Sequence, residues 1–247
     1  MKRFAQKNDG LDIDRIAFLG RTYHEYLDLF GLNEALLGSG RVLDCPGGAS
    51  SFALEAARKG CDVTACDILY DNSATDLFEK GKKDIAHVFD KFDEVSHLYT
   101  WDYYRNKEEV MDLRNRALDL FVEDFSGCSA EGRYIPARLP HLPFPNGMFS
   151  VVLSGHFLFL YGDRLNQDFH KACLVEFMRV CSGEVRIFPL VGLDTKPYSQ
   201  LDEILQFLAE KDIRADIVQV RLEFQRRADH MMRLSRNVIS KEVSHGN

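Results

Sequence analysis

The chain has 247 residues, is 45% hydrophobic and carries a formal net charge of −7: it can fill one good core, and its charge offers no footprint for nucleic acid or an anionic membrane. No apolar run approaches the roughly 20 residues that span a bilayer, and the basic first residues lack the apolar core of a secretion signal. The six cysteines (45, 61, 66, 128, 173 and 181) form no C-x-x-C pair and have no histidine at zinc spacing, which reads as reduced structural thiols, no metal, and a cytoplasmic protein.

In chain order, residues 1–37 read as a helical N-terminal segment. Ile16, Leu19, Tyr23, Tyr26, Leu27 and Phe30 recur at helical spacing over 15–30, with a break near Gly20. Gly31, Gly38 and Gly40 mark further breaks. Next comes Arg41-Val42-Leu43-Asp44-Cys45-Pro46-Gly47-Gly48-Ala49-Ser50-Ser51-Phe52, an apolar strand, a turn of small residues and the start of a helix that stops at Gly60. A second strand, Cys61 to Cys66, ends in Asp67. Such a strand–turn–helix–strand–acid unit of about 30 residues has the size of a nucleotide-binding βαβ crossover. Gly47 and Gly48 let the backbone turn sharply under a ligand, and the helix start points free N–H groups at it. Asp67 is placed to accept from the hydroxyls of a ribose, so the ligand reads as an adenosine-containing cofactor.

The next strand-like run, Arg133 to Ala137, comes about 65 residues after Asp67, far more than a plain crossover needs. Two helical patterns fill the gap: Ile85, Phe89, Phe92, Val95 and Tyr99, then Val110, Leu113, Ala117, Leu120 or Phe121, and Phe125. Asn106 and Glu109 form a capping pair at the second. This makes a helical insert at about 71–127. The stretch 98–105, with the one tryptophan and three tyrosines, either lines a substrate pocket or anchors the insert. Beyond it, a strand ends at Ser154, a helix spans 165–180, and a turn at Ser182-Gly183 leads to another strand. A helix at 199–213 and a hairpin of two strands, 215–224 and 230–234, complete the fold, and 239–247 read as a disordered tail.

The turn after the first strand lacks the G-x-G-x-x-G spacing of a dinucleotide site. It resembles motif I of the class I S-adenosylmethionine (SAM)-dependent methyltransferases: Asp44 stands at the acid, and Pro46, Gly48 and Ser50 stand where the family has glycines. The stretch 137–154, with Leu142-Pro143-Phe144-Pro145 and Phe149 before an apolar strand, resembles that family's run from the adenine-binding loop to the fourth strand. Over roughly residues 38–236 the resemblance implies an α/β fold, a doubly wound, mostly parallel seven-stranded sheet with an antiparallel last strand, here with a helical insert. It implies a SAM-binding domain at 38–238, with 1–37 covering the site. The cofactor contacts it implies are Arg21, the turn Asp44, Cys45, Pro46, Gly47 and Gly48, then Asp67 and Ile68, Arg138 and Leu139 near the adenine, and Ser154. Arg138 replaces the family's adenine-binding Asp.

Methyl transfer from a sulfonium is an in-line displacement, so positioning and desolvation carry much of it and no catalytic triad or metal is required. His156, just after strand four, is either a general base or a hydrogen-bonded structural histidine. Strand four is not followed by the Asn/Asp-Pro-Pro-aromatic motif of base-amino methylation, and the Lys-Asp-Lys-Glu set of ribose methylation is not placed here. The acceptor therefore reads as a small molecule rather than nucleic acid. Arg221, Arg226, Arg227, Arg233 and Arg236 cluster near the C-terminus as a solvated basic patch or a binding face. The chain reads as a monomer or homodimer. The alternatives are a nucleotide-dependent Rossmann oxidoreductase and a non-catalytic SAM-binding scaffold.

Overall fold

The computed structural model describes residues 10–127 and 132–237; Cys128 and the tail expected at 239–247 lie outside the described residues. Three buried strands, of which only the longest has half-buried residues, form the centre of the sheet. β1 (Val42–Asp44) pairs in parallel with β2 (Val63–Asp67) on one side and with β4 (Phe149–Gly155) on the other. Strands apolar on both faces belong in the middle of a covered parallel sheet. β3 (Tyr134–Pro136) forms the edge beside β2, and β5 (Cys181–Phe188) lies beside β4. β6 (Ile213–Gln219) and β7 (His230–Arg236) form the antiparallel hairpin, with β7 inserted between β5 and β6. The order β3-β2-β1-β4-β5-β7-β6, with β7 alone reversed, is the doubly wound seven-stranded arrangement implied by the motif resemblance.

Helices cover both faces. On one lie α1 (Tyr23–Phe30), α3 (Phe52–Ala57) and the insert, α4 (Ala74–Phe92) with α5 (Lys107–Ser126); the short α2 (Glu34–Leu37) precedes β1. Their Phe30, Phe52, Leu77 and Phe121 pack with Val42, Ala65 and Leu153. On the other lie α6 (Gln167–Val180) and α7 (Leu201–Ala209), whose Phe177 and Ile204 pack with Leu43, Val152 and Ile187. Adjacent residues of β1 thus serve opposite cores, as the period of two requires. Asn106 accepts the Glu109 N–H at 2.9 Å as expected, but the Glu109 carboxylate reaches the N–H of Arg105 instead of returning to Asn106.

Several boundaries differ from the periodicity. Residues 15–21 are not helical. Their backbone is committed elsewhere: Ala17 N–H donates to the Tyr161 hydroxyl at 3.1 Å and Phe18 N–H to the Asp84 carboxylate at 2.8 Å, while the Leu19 carbonyl accepts from Ala49 N–H. The segment is a strap, not a helix. No turn separates α6 from β5, because Gly183 crosses so near Ser150 that a Cβ would meet its carbonyl oxygen at 2.2 Å. β6 stops at Gln219; beyond it Leu222 and Phe224 leave the sheet to pack with the insert. The aromatic stretch anchors that insert: Phe224 stacks on Phe92 at 5.8 Å and contacts Tyr99, Trp101 and Tyr104. The C-terminal arginines are not one free patch. Arg233 pairs with Asp216, Arg221 lies beside Asp28, Arg226 donates to the His97 carbonyl and Arg236 to that of Met178.

Candidate functional site

A cavity of about 470 Å³ opens at the C-terminal ends of β1, β2 and β4, where the chain runs from β1 to β2 and β3 on one side and then crosses to β4 on the other. Ligands of open α/β sheets bind at such a switch point. After β1 the walls are Cys45, Pro46, Gly47 and Gly48; after β2, Asp67 and Ile68; after β3, Arg138 and Leu139; after β4, His156. Arg21 reaches in from the strap. Residues scattered from 21 to 156 in sequence are therefore brought to one wall by the parallel sheet. Two do not line it. Asp44 is fully buried behind the turn, where its carboxylate accepts the Tyr26 hydroxyl at 2.9 Å. Burial pushes that carboxyl up to about 8, against the Tyr26 hydrogen bond and with the help of nearby Asp67. Ser154 is also buried, and its hydroxyl has no hydrogen-bond partner among the described residues.

The turn differs from its expected use in one respect. The space above Gly48 is filled by the chain itself: at φ +54°, a Cβ there would meet the Leu19 carbonyl oxygen at 2.7 Å. N–H groups at the start of α3 are likewise taken by the strap, with Ala49 N–H donating to Leu19 and Ser51 N–H to Arg21. They do not point at the cavity. Asp67, by contrast, stands where β2 ends. Its two oxygens accept Leu69 N–H at 2.9 Å and Gly48 N–H at 3.1 Å, which fixes the carboxylate at the rim of the turn and leaves each oxygen a free lone pair. Burial raises its pKa, and those two N–H groups oppose the rise.

A second, smaller chamber of about 100 Å³ lies behind the first and shares Leu19, Arg21, His156, Leu160 and Tyr161 with it. His156 stands at the junction with φ +53°, its N–H on the Phe188 carbonyl at 2.6 Å and its ring against the Phe188 ring. Burial, then the charges of Arg21 and Arg114, hold its imidazole well below the ordinary histidine value. It is therefore neutral near pH 7, a hydrogen-bond acceptor rather than a cation.

Beneath the junction is an ionic network with no counterpart in the sequence reading. Glu25 pairs with Arg114 at 2.7 Å and accepts from Tyr104 and from Thr22 N–H. Burial works to raise the Glu25 carboxyl, but Arg114 overrides it and pulls it down to about 2. Glu25 sits on α1 and Arg114 on α5, 89 positions apart, so no local pattern signals the pair. Of this region the sequence signalled only Arg21, as an implied cofactor contact, and the aromatic stretch at 98–105.

Protein MJ0045 of Methanocaldococcus jannaschii, itself uncharacterized, is 33% identical to the chain over 230 residues, covering 92% of this chain and 99% of that protein. The chain belongs to the same family. No family profile matches it. Among solved structures it is similar to a SAM-dependent methyltransferase from Aquifex aeolicus (16% identity, 85% of this chain and 90% of that one, TM-score 0.39). It is also similar to the magnesium protoporphyrin IX methyltransferase of Synechocystis with bound S-adenosylhomocysteine (13%, 81% and 75%, TM-score 0.40). These likenesses are slight, and the class I methyltransferase fold is read from the strand order and the reversed β7 of this family member. No helix among the described residues is long and apolar enough to cross a membrane.

Proposed function

We propose that the chain is a SAM-dependent methyltransferase acting on a small-molecule acceptor. The observation that carries this reading is the pairing of the 470 Å³ cavity at the switch point with the fixed Asp67 carboxylate on its wall. The site fits such a cofactor: the cavity has an acid for ribose hydroxyls, an apolar flank for a purine, and a small-residue turn between them. When bound, SAM supplies an electrophilic methyl on a sulfonium, which is already a good leaving group. Asp67 accepts from the ribose hydroxyls, and Ile68 with the backbone of Arg138 and Leu139 flanks the adenine. The turn Cys45 to Gly48 lies beside the methionine part. Asp44 and Ser154 act from behind the wall, Asp44 by holding Tyr26. Phe157, Leu160 and Tyr161 exclude water from the junction, and desolvation there favours charge-dispersing methyl transfer. Neutral His156 takes a proton if the acceptor sheds one, and its depressed basicity suits an acceptor that needs little help.

Titration calorimetry with SAM, S-adenosylhomocysteine and NADH tests the reading. Binding of the two sulfur ligands and none of NADH is expected. Asp67→Asn keeps an acceptor for the Gly48 or Leu69 N–H and so stays folded, while losing SAM affinity by about tenfold or more. Unchanged affinity in that variant rejects the ribose role. Binding of NADH in place of SAM rejects the methyltransferase.

A further inference from the structure

The second chamber is walled by the insert (Phe89, Phe92, Val110), the aromatic stretch (Tyr99) and the β6–β7 connection (Leu222, Phe224). No carboxylate lines it. At its mouth is the Arg21 guanidinium, which has no hydrogen bond or ion pair among the described residues. The nearby acids are already occupied: Glu25 by Arg114, Tyr104 and Thr22, and Asp44 by Tyr26. Arg114, the other cation on these walls, is neutralised by Glu25. One unpaired positive charge therefore faces an apolar chamber, an arrangement that is costly while empty. Burial, then Arg114, push the same guanidinium down to about 10, against the charge of nearby Glu25.

We propose that this chamber binds the acceptor, and that the acceptor is a compact apolar carboxylic acid whose single carboxylate pairs with Arg21 while its hydrocarbon part lies among Phe92, Tyr99, Leu222 and Phe224. A carboxylate oxygen takes the methyl, forming an ester C–O bond as the methyl–sulfur bond breaks and S-adenosylhomocysteine leaves, with no proton to remove. The inference rests on the methyltransferase reading and adds the substrate class. Size limits the hydrocarbon part: a cavity of about 150 Å³ lined by aliphatic and aromatic groups takes a benzene ring, and this one is about 100 Å³. With the carboxylate at the shared junction, a branched four- or five-carbon chain fills it, and a single ring enters only with its carboxyl-bearing edge in the junction. Charge limits the head group, since a dianion finds one cation and no second. A guanidinium matches a carboxylate bidentately, which a neutral amide cannot reproduce.

The probes are 3-methylbutanoate and benzoate, with benzamide and phthalate as controls, titrated by calorimetry into the full chain with and without saturating S-adenosylhomocysteine. The two monocarboxylates are expected to bind about tenfold or more tighter than benzamide or phthalate. Arg21→Met is expected to abolish that preference and leave S-adenosylhomocysteine affinity within about twofold, while Arg21→Lys restores part of it. Because Arg21 has no partner to lose, Arg21→Met melts at or above the wild-type temperature, so a folding defect is not confused with a binding one. If the acids fail to bind while S-adenosylhomocysteine binds, the acceptor inference is overturned and the methyltransferase reading stands. If Arg21→Met loses S-adenosylhomocysteine and keeps the acids, Arg21 serves the cofactor's own carboxylate and the inference is again overturned. If S-adenosylhomocysteine fails to bind the wild type, the methyltransferase reading falls; acid binding to that protein then still reports on the chamber.

Discussion

Asp44 and Glu25 are buried carboxyls with opposite environments, and they give the protein opposite pH dependences. Asp44 accepts one hydroxyl and faces no cation, so its folded pKa rises from 3.8 to about 8. The folded state then holds a proton that the unfolded chain releases, and stability falls as pH climbs from about 4 to 8. Glu25 faces Arg114, and its folded pKa drops from 4.5 to about 2. Its contribution is full above the unfolded value and is lost as pH falls through that window toward 2. Buried His156, held below its ordinary value of 6.5, opposes Asp44 below that pH, so thermal melts of the ligand-free protein from pH 3 to 9 are expected to be highest between about pH 5 and 6.5 and to fall on either side. Asp44→Asn should flatten the alkaline limb, which spans on the order of a few kcal/mol, and leave the acid limb in place. An unchanged alkaline limb in Asp44→Asn would place the titration elsewhere.

At the scale of elements, the strap and the β6–β7 connection do what the regular structure does not. The strap closes the glycine turn, contributes Arg21 to both chambers and crosses at Gly20, where a Cβ would lie 1.8 Å from the Ala49 carbonyl oxygen. That atom is backbone and cannot step aside. Gly20→Ala is expected to lift the strap, lower stability by about 1–3 kcal/mol and weaken SAM binding; an undisturbed affinity would separate strap from site. The connection holds the insert through Phe224, whose ring meets four other aromatic rings, and through Thr100 N–H donating to the Phe224 carbonyl at 2.7 Å. Removing the ring leaves a cavity at the chamber wall. Phe224→Ala should cost about 3–5 kcal/mol, read by denaturant unfolding with Trp101 fluorescence as a local reporter. A cost under about 1 kcal/mol would mean that the insert is held elsewhere.

For the whole molecule, both chambers are assembled from parts that only the folded chain brings together, so occupancy and global stability are linked. A ligand that binds the native state alone stabilises it by about 2.7 kcal/mol at a hundredfold excess over its Kd, worth roughly 5–10 °C in a chain of this size. Saturating S-adenosylhomocysteine is expected to raise the melting temperature by that amount, and NADH to leave it unchanged. A shift with NADH alone would favour the dinucleotide alternative. The related protein from Methanocaldococcus jannaschii matches over 92% of this chain and 99% of its own length, so the same pair of titrations applies to it.

The sequence by itself determined the sheet. The runs at 42–43, 63–66 and 149–153 are mostly apolar because both faces of a central parallel strand are covered. The small-residue turn and Asp67 sit at strand ends that any crossover must bring to one edge. These are local signals, carried within a few residues of the feature they report. Tertiary structure alone decided what the polar groups do. Phe18 finds Asp84 66 positions away, Glu25 finds Arg114 89 away and Thr100 finds Glu223 123 away. The helical spacing at 15–21 was overridden because distant partners claimed the Ala17 and Phe18 N–H groups and the Leu19 and Arg21 carbonyls. Arg21 became the unpaired cation for the same reason: which charges are compensated depends on which surfaces meet, and no periodicity records that.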